Sequence, residues 1–293
     1  MLELTEVTRR YGDLVAVDRV SFQVAAGSLT GFVGGNGAGK TTTMRMIMGV
    51  LAMNGGEVRW AGHPITAADR KRFGYMPEER GLYPKQPVLD QLIYLGRLHG
   101  LTASAARASA TAHLERFGLA ERAKAKVETL SLGNQQRVQI IASVMSQPTC
   151  LILDEPFSGL DPMAVDAMAD VLREHACAGV PVLFSSHQLD LVDRLCDHLI
   201  ILAKGRVAAQ GTADELRATG TLRHRLVLGG DAGWLRQVPG IHVADVESAT
   251  AIVEIIDPAA EQPMLAAALQ RGGIREYAAL VPSLSEIYRE VAS

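Results

Sequence analysis

The chain has 293 residues, a length that suggests about two domains of ordinary size. Hydrophobic residues make up 48% and charged residues 21%, so a packed core is available and a disordered chain is excluded. The net charge of −3 leaves no basic field for nucleic acid, and three cysteines (Cys150, Cys177, Cys196) are too few and scattered for a disulfide framework or a zinc knuckle.

The first stretch reads as β-rich. Leu2, Leu4 and the run Val15 to Val24 form short alternating segments, broken by Gly12-Asp13 and Ala26-Gly27. A strand over Leu29 to Val33 leads into a glycine-rich loop. Beyond it, Met44, Ile47, Met48 and Leu51 fall on one helical face. The region from about 87 to 147 is mostly helical by its periodicity, with an alanine-rich stretch at 103–112. An apolar strand (Cys150 to Leu153), a helix (Val165, Met168, Ala169, Leu172), a strand (Val180 to Phe184), a helix (Leu189 to Cys196) and a strand (Leu199 to Leu202) follow. Uniformly apolar strands alternating with helices indicate a parallel sheet covered on both faces. Cys150 and Cys196 sit in such apolar runs and read as small buried hydrophobes.

A boundary is expected near Thr219-Gly220. The remainder reads as a small α+β domain: strands at 222–228, 241–246, 251–256 and 274–281, a short helix at 233–238, a helix presenting Leu265, Ala268 and Leu269, and a last helix opened by the capping box Ser283-Leu284-Ser285-Glu286. No apolar run approaches the ~20 residues of a membrane span. The N-terminal Met1 to Glu6 has no basic region followed by an apolar one, so the expected location is the cytosol.

Three segments carry chemistry. Gly34-Gly35-Asn36-Gly37-Ala38-Gly39-Lys40-Thr41 fits the phosphate loop G-x-x-x-x-G-K-[ST], and it sits between a strand and a helix. Its glycines let backbone N–H groups converge on phosphate oxygens. The Lys40 ammonium reaches the β- and γ-phosphates, and the Thr41 hydroxyl suits Mg²⁺. Leu151-Ile152-Leu153-Asp154-Glu155 is an apolar strand ending in two carboxylates, which suit a hydrated Mg²⁺ and the polarising of an attacking water. Leu130-Ser131-Leu132-Gly133-Asn134-Gln135-Gln136 opens a helix with Ser131 as a natural N-cap.

Together these segments resemble Walker A, Walker B and the signature loop of the ABC (ATP-binding cassette) ATPase superfamily. Ser158-Gly159-Leu160-Asp161 resembles its D-loop, Ser185-Ser186-His187 its switch-histidine loop, and Tyr11 the aromatic that stacks on adenine. The matches cover roughly Met1 to Gly211. The resemblance implies a P-loop NTPase fold: a RecA-like parallel core, an N-terminal antiparallel β subdomain and an inserted helical subdomain at about 87–147. The ATP-binding domain would be 1–219 and a C-terminal accessory domain 220–293.

The resemblance further implies ATP and Mg²⁺ as ligands. Nucleotide contacts fall to Tyr11, Gly34, Gly35, Asn36, Gly37, Ala38, Gly39, Lys40, Thr41 and Thr42, and to Ser131, Gly133 and Gln135 of a facing chain. Metal contacts fall to Thr41, Glu78 and Asp154. Catalysis falls to Glu155 and His187. Glu78 stands where the family's Q-loop glutamine is expected, and Gly35 where proline is frequent. The segment Pro77 to Pro84 and the tail from Pro282 to Tyr288 are similar to those of ABC-2 type exporter ATPases for sodium and drug efflux. The expected partners are membrane-spanning permease subunits and a second copy of the same or a paralogous ATPase, in a head-to-tail dimer sandwiching ATP. The expected place is the cytoplasmic face of the membrane. An import ATPase is the alternative within the family. A soluble ABC ATPase of chromosomes or translation fits less well: Lys40 and Ser131 are joined by one compact helical region rather than a coiled coil, and the chain holds one cassette rather than two.

Overall fold

In the computed structural model, which describes residues 1–79, 81–219 and 222–292, the chain divides into two compact units. One runs from Met1 to Ala213 and takes in Val291; the other is Asp214–Glu290. The division falls at the start of a short helix, six residues ahead of Thr219, the near side of the expected boundary. Gly220 on its far side, and Arg80 in the segment Pro77 to Pro84, lie outside the described residues.

The larger unit begins with β1 (Leu2–Tyr11) and β2 (Leu14–Val24), then β3 (Leu29–Val33) and α1 (Lys40–Ile47). After α1 come β4 (Gly55–Trp60), β5 (His63–Pro64), α2 (Ala67–Arg70) and β6 (Phe73–Met76). Three helices follow, α3 (Val88–Leu98), α4 (Ala103–Arg116) and α5 (Leu132–Val144). The unit then alternates β7 (Cys150–Leu153), α6 (Pro162–Cys177), β8 (Val182–Ser186), α7 (Leu189–Leu195), β9 (His198–Ala203) and β10 (Arg206–Gly211).

Two sheets result. The antiparallel one has the order β2-β1-β4-β5, and the second β10-β9-β3-β8-β7-β6. In the second, β9, β3, β8, β7 and β6 run parallel, and only β10 is antiparallel, joined to β9 by a turn at Lys204-Gly205 with positive φ at both residues. β7 and β8 are buried along their whole length, as expected of strands covered on both faces. On β1 and β2 the buried side chains (Leu2, Leu4, Val7; Val20, Phe22, Val24) alternate with outward ones, except at the irregularity between Leu4 and Val7, where Thr5 and Glu6 both face out. The buried ones share one apolar cluster with Phe32, Met44 and Ile47. This cluster is what fastens the antiparallel sheet to the core.

Some sequence expectations shift in detail. α1 ends at Ile47, so Met48 and Leu51 pack on the core from beyond the helix. The turn there is closed by Gly49 N–H to the Met46 carbonyl and Val50 N–H to the Arg45 carbonyl. β6 has no counterpart in the sequence reading, since four residues including Gly74 carry no periodicity. Gly74 is required by packing: a Cβ there would lie 2.1 Å from the Ser143 carbonyl oxygen of α5. Cys150 is fully buried and Cys196 partly so, and burial pushes both thiols up, away from the reactive thiolate.

The smaller unit contains α8 (Ala213–Thr219, from Asp214 onward), β11 (Arg223–Leu228), β12 (Ile241–Glu247), β13 (Thr250–Ile255), α9 (Glu261–Gln270), β14 (Ile274–Leu280) and most of α10 (Leu284–Ala292). Its antiparallel sheet has the order β12-β13-β11-β14. Leu226, Leu228, Ala251 and Val253 of the sheet and Met264 and Ala268 of α9 form its core. Leu269, expected on the buried face, is 64% exposed; Met264 takes the inward place one turn earlier. The capping box holds, with Ser283 N–H donating to Glu286 at 2.8 Å and Glu286 N–H donating to the Ser283 hydroxyl at 3.2 Å.

The close approach at Gly74 gives a direct test. Gly74→Ala forces β6 and α5 apart and should destabilise the larger unit by about 1–3 kcal/mol, as overpacking does. Chemical denaturation of the two proteins side by side measures this; an unchanged midpoint would mean that α5 can yield without cost.

Candidate active site

Parallel pairing brings the C-terminal ends of β3, β8, β7 and β6 side by side. From those ends project the phosphate-loop segment, His187, Asp154-Glu155 and Glu78 in turn. A cleft opens there, lined by Ala16, the run from Gly35 to Thr42, Glu78, Asp154 and Glu155. Such a crevice at strand C-termini is where ligands enter open α/β sheets.

Lys40 begins α1 and is only 8% exposed. Its ammonium donates to the Gly34 carbonyl at 2.7 Å and to the Gly35 carbonyl at 3.3 Å. The loop is therefore less exposed than its composition suggests, because its lysine folds back to close it. Both acceptors are neutral carbonyls, so the cation keeps its full charge for an anion. The N-terminus of α1 adds free N–H groups at the same place.

The facing wall is acidic. Asp154 is 1% exposed; its Oδ1 accepts a hydrogen bond from the Ser185 hydroxyl at 2.6 Å, and its Oδ2 is buried without a partner. The same Ser185 hydroxyl accepts from the Glu155 N–H at 2.7 Å. Glu155 sits at φ 50°, in the left-handed region that a side chain rarely takes. Its Oε2 lies 2.9 Å from His187 Nδ1. Glu78 Oε2 accepts from the Thr41 hydroxyl at 3.3 Å. The partnerless Asp154 oxygen, the Thr41 hydroxyl and the Glu78 carboxylate are hard oxygen donors, a set that fits Mg²⁺ held partly by substrate phosphates. Nearby, burial raises the Tyr75 phenol, and the Asp154 charge adds to the effect, so Tyr75 stays neutral beside the acidic wall.

Several expected residues lie elsewhere. Tyr11 is at the tip of the β1–β2 hairpin, 47% exposed, with the Arg9 guanidinium 4.6 Å from its ring centre; Ala16 represents that hairpin in the cleft lining. Ser131, Gly133 and Gln135 do not line the cleft of their own chain. Ser131 caps α5 by accepting the Asn134 N–H at 3.4 Å and is exposed. Gln135 donates to the Leu130 carbonyl at 3.0 Å. Gly133 borders the D-loop segment: a Cβ there would meet the Gly159 carbonyl at 2.9 Å. Asp161, the N-cap of α6, is ion-paired with Arg137 of α5. The Ala164 N–H, with help from Arg137, holds the Asp161 carboxyl below its usual range. Sequence reasoning passed over Ser185 as an anchor, and over Gln136 of α5, which donates to the carbonyls of Glu155 and Pro156 at 3.1 Å each. Neither is marked by its own stretch of sequence, since Gln136 lies in the polar run Asn134 to Arg137 and Ser185 is followed by Ser186 and His187.

Comparison with known proteins shows the family. Residues 17–158 match the family model for the ABC transporter, and residues 211–292 match that for the C-terminal domain of DrrA1-3-like ATP-binding proteins. The chain is 40% identical over 292 residues to the ABC transporter ATP-binding protein YhaQ of Bacillus subtilis, covering 99% of this chain and 98% of that one. It is 34% identical over 280 residues to the Nod factor export ATP-binding protein I of Paraburkholderia xenovorans, covering 94% and 91%. A solved ATP-binding subunit of an ABC transporter superposes with a TM-score of 0.69 at 32% identity, over 74% of this chain and 92% of its own.

Ser185 makes the site's architecture testable. Ser185→Ala leaves the Glu155 N–H without its acceptor and Asp154 without its donor. Stability should fall by about 1–3 kcal/mol, the cost of orphaning buried polar groups. ATP turnover should fall roughly 10–100-fold, as for other supporting hydrogen bonds. Denaturation and steady-state hydrolysis measure the two; normal turnover would show that Glu155 keeps its place without this hydroxyl.

Proposed function

Since this chain belongs to the ABC transporter family as an ATP-binding, ATP-hydrolysing subunit, we propose that it drives export through separate membrane subunits as one half of a head-to-tail, ATP-sandwiched dimer. The observation that carries the dimer is the division of the site. Lys40, Thr41, Glu78, Asp154 and Glu155 gather around one cleft, whereas Ser131 and Gly133 stand outside it, at the exposed start of α5. A γ-phosphate in the cleft therefore meets donors from one side only. The free N–H groups at the start of α5 of a second chain would supply the other side.

Within the cleft, Lys40 and the loop N–H groups bind and orient the β- and γ-phosphates. Thr41, Glu78 and Asp154 would hold Mg²⁺, which neutralises charge on those phosphates when bound. Glu155 takes the proton of the attacking water. His187, hydrogen-bonded to Glu155 in this structure, keeps that carboxylate aimed along the strand ends. Tyr11 presents an exposed ring that suits adenine. Export, rather than import, is supported by the match of 211–292 to the DrrA1-3-like domain and by the similarity to a Nod factor export protein. Among the described residues no helix is long and apolar enough to cross a membrane. The transport path is assigned to partner subunits because transport through membrane subunits is the general role of the family's ATP-binding subunits. The working place is the cytoplasmic face of the membrane.

The helical region offers a docking face for those partners. Tyr83 is 51% exposed and Tyr94 of α3 is 47% exposed; their rings meet edge to face with centres 6.4 Å apart. The backbone beneath is fixed by buried Gln91, which accepts from the Tyr83 N–H at 3.1 Å and donates to its carbonyl at 3.0 Å. The aromatic edges are thus rigidly held yet free to pack on a cytoplasmic segment of a permease. Tyr83→Ala should weaken co-purification with the membrane subunit and leave soluble ATP binding intact. Equal loss of both would assign Tyr83 to local packing.

Glu155→Gln keeps the shape of the side chain and removes its basic charge. Hydrolysis should fall by roughly a hundredfold or more, while ATP still binds. The trapped nucleotide should hold two chains together, giving a dimer with Mg-ATP and a monomer without it. A further Ser131→Arg change should abolish that dimer by filling the helix N-terminus. Light scattering on a size-exclusion column decides the matter: a protein that stays monomeric at saturating ATP would count against the sandwich, and normal hydrolysis would remove Glu155 as the base.

A further inference from the structure

α5 carries three polar residues on its buried face, Gln136, Gln139 and Ser143, at 5%, 5% and 3% exposure. Their spacing of three and four residues stacks them along one side of the helix. Each touches a different part of the sheet edge that feeds the cleft. Gln136 donates to the Glu155 and Pro156 carbonyls, and Gln139 donates to the Pro77 carbonyl at 2.6 Å. The carbonyl of Ser143 sits against β6 at Gly74, so closely that no Cβ fits between.

The Gln139 bond is an unusual one to keep. Its carbonyl oxygen, Oε1, is buried without a hydrogen-bond partner, so the side chain bears a desolvation cost in order to place its N–H₂ on one acceptor. A leucine would fill the same apolar space without that cost. The acceptor it reaches belongs to Pro77, which has no N–H of its own, so its carbonyl is its one backbone polar group. The next residue is Glu78, whose carboxylate accepts from the Thr41 hydroxyl across the cleft.

We propose that Gln139 is a positioning residue for Glu78: through the Pro77 carbonyl it ties the register of α5 to the carboxylate that faces Thr41. Gln136 ties the same helix to Glu155, whose backbone N–H is held by Ser185. The signature helix is therefore fastened by an amide to each of the two acidic loops of its own cleft. A shift of α5 along its axis moves both loops together. Resting on the head-to-tail reading above, this makes α5 a lever: phosphate docking at its N-terminus, from the nucleotide of the facing chain, resets Glu78 and Glu155 in the chain's own cleft. The two nucleotide sites are coupled by two side-chain amides rather than by the domain as a whole.

A double-mutant cycle on the full chain tests the Gln139 link, using Gln139→Leu, Glu78→Ala and their combination. Gln139→Leu should lower kcat by about tenfold, in the range of a lost supporting hydrogen bond. It should also raise the Mg²⁺ concentration needed for tight binding of a fluorescent ATP analogue, measured at equilibrium without turnover. Its melting temperature should fall by no more than a few degrees, because the bond lost at the Pro77 carbonyl is offset by replacing a half-satisfied polar side chain with an apolar one. The combination should behave as Glu78→Ala alone in both kcat and Mg²⁺ dependence. Additive effects would overturn the link and leave the site reading standing. Glu78→Ala with normal kcat and normal Mg²⁺ dependence would overturn both. Should Gln139→Leu be too unstable to assay, Gln139→Met keeps the length and removes the donor without adding a charge; the same non-additivity with Glu78→Ala is expected, and additive effects would overturn the link in this pair as well.

Discussion

The site depends first on one constraint, the parallel pairing of β7 between β6 and β8. Strands that run the same way end at the same edge. Their neighbouring ends lie about 5 Å apart, close enough for a side chain on one to reach the backbone of the next. Ser185, near the end of β8, does so, bonding both Asp154 and Glu155 just past the end of β7. The hydroxyl serves as donor to a carboxylate and acceptor from an N–H at once, and this fixes Glu155 in a left-handed backbone state that it would otherwise leave. An antiparallel neighbour would have sent its terminal residues to the far edge.

The cleft is built from opposed charges held apart by backbone. On one wall a lysine ammonium is bonded to neutral carbonyls, and on the other the carboxylates are bonded to the Thr41 and Ser185 hydroxyls and to a histidine. Direct neutralisation of Lys40 by Asp154 would satisfy both and close the site. The structure prevents it by giving each its own neutral partners. A polyanion with a divalent cation would satisfy both walls together, the place proposed for ATP and Mg²⁺.

The helical region is joined to this core in three ways. Gln136 and Gln139 reach the acidic loops, Arg137 of the same helix pairs with Asp161 at the start of α6, and Arg116 at the end of α4 makes a two-point ion pair with Glu174 of α6 at 2.5 and 2.7 Å. The amides are buried and neutral, so their bonds persist as the solvent changes. The ion pairs involve exposed carboxylates, where water and salt screen the attraction, so they yield more readily. Movement of the helical region against α6 is thus cheaper than movement of α5 against the acidic loops. The C-terminal unit, with its own sheet and apolar core, meets the requirements of an independently packed body.

The sequence by itself determined the strands β3 and β7 residue for residue, the helix–strand alternation after β7, the phosphate loop, the acidic pair and the capping box of α10. These are local matters: apolar runs of fixed length, glycines at a turn and a side chain that caps its own helix. Only the tertiary structure decided which chain-distant groups meet. β6 is too short to show a period and becomes a strand because β7 offers it a partner. Leu269 turns outward because Met264 fills the place beside Ala268. Ser185, Gln136 and Gln139 gain their roles from backbone groups 19 to 62 residues away, and nothing in their own neighbourhood in sequence marks them. A buried hydrogen bond is set by the position of its acceptor, and that position exists only once the sheet has formed.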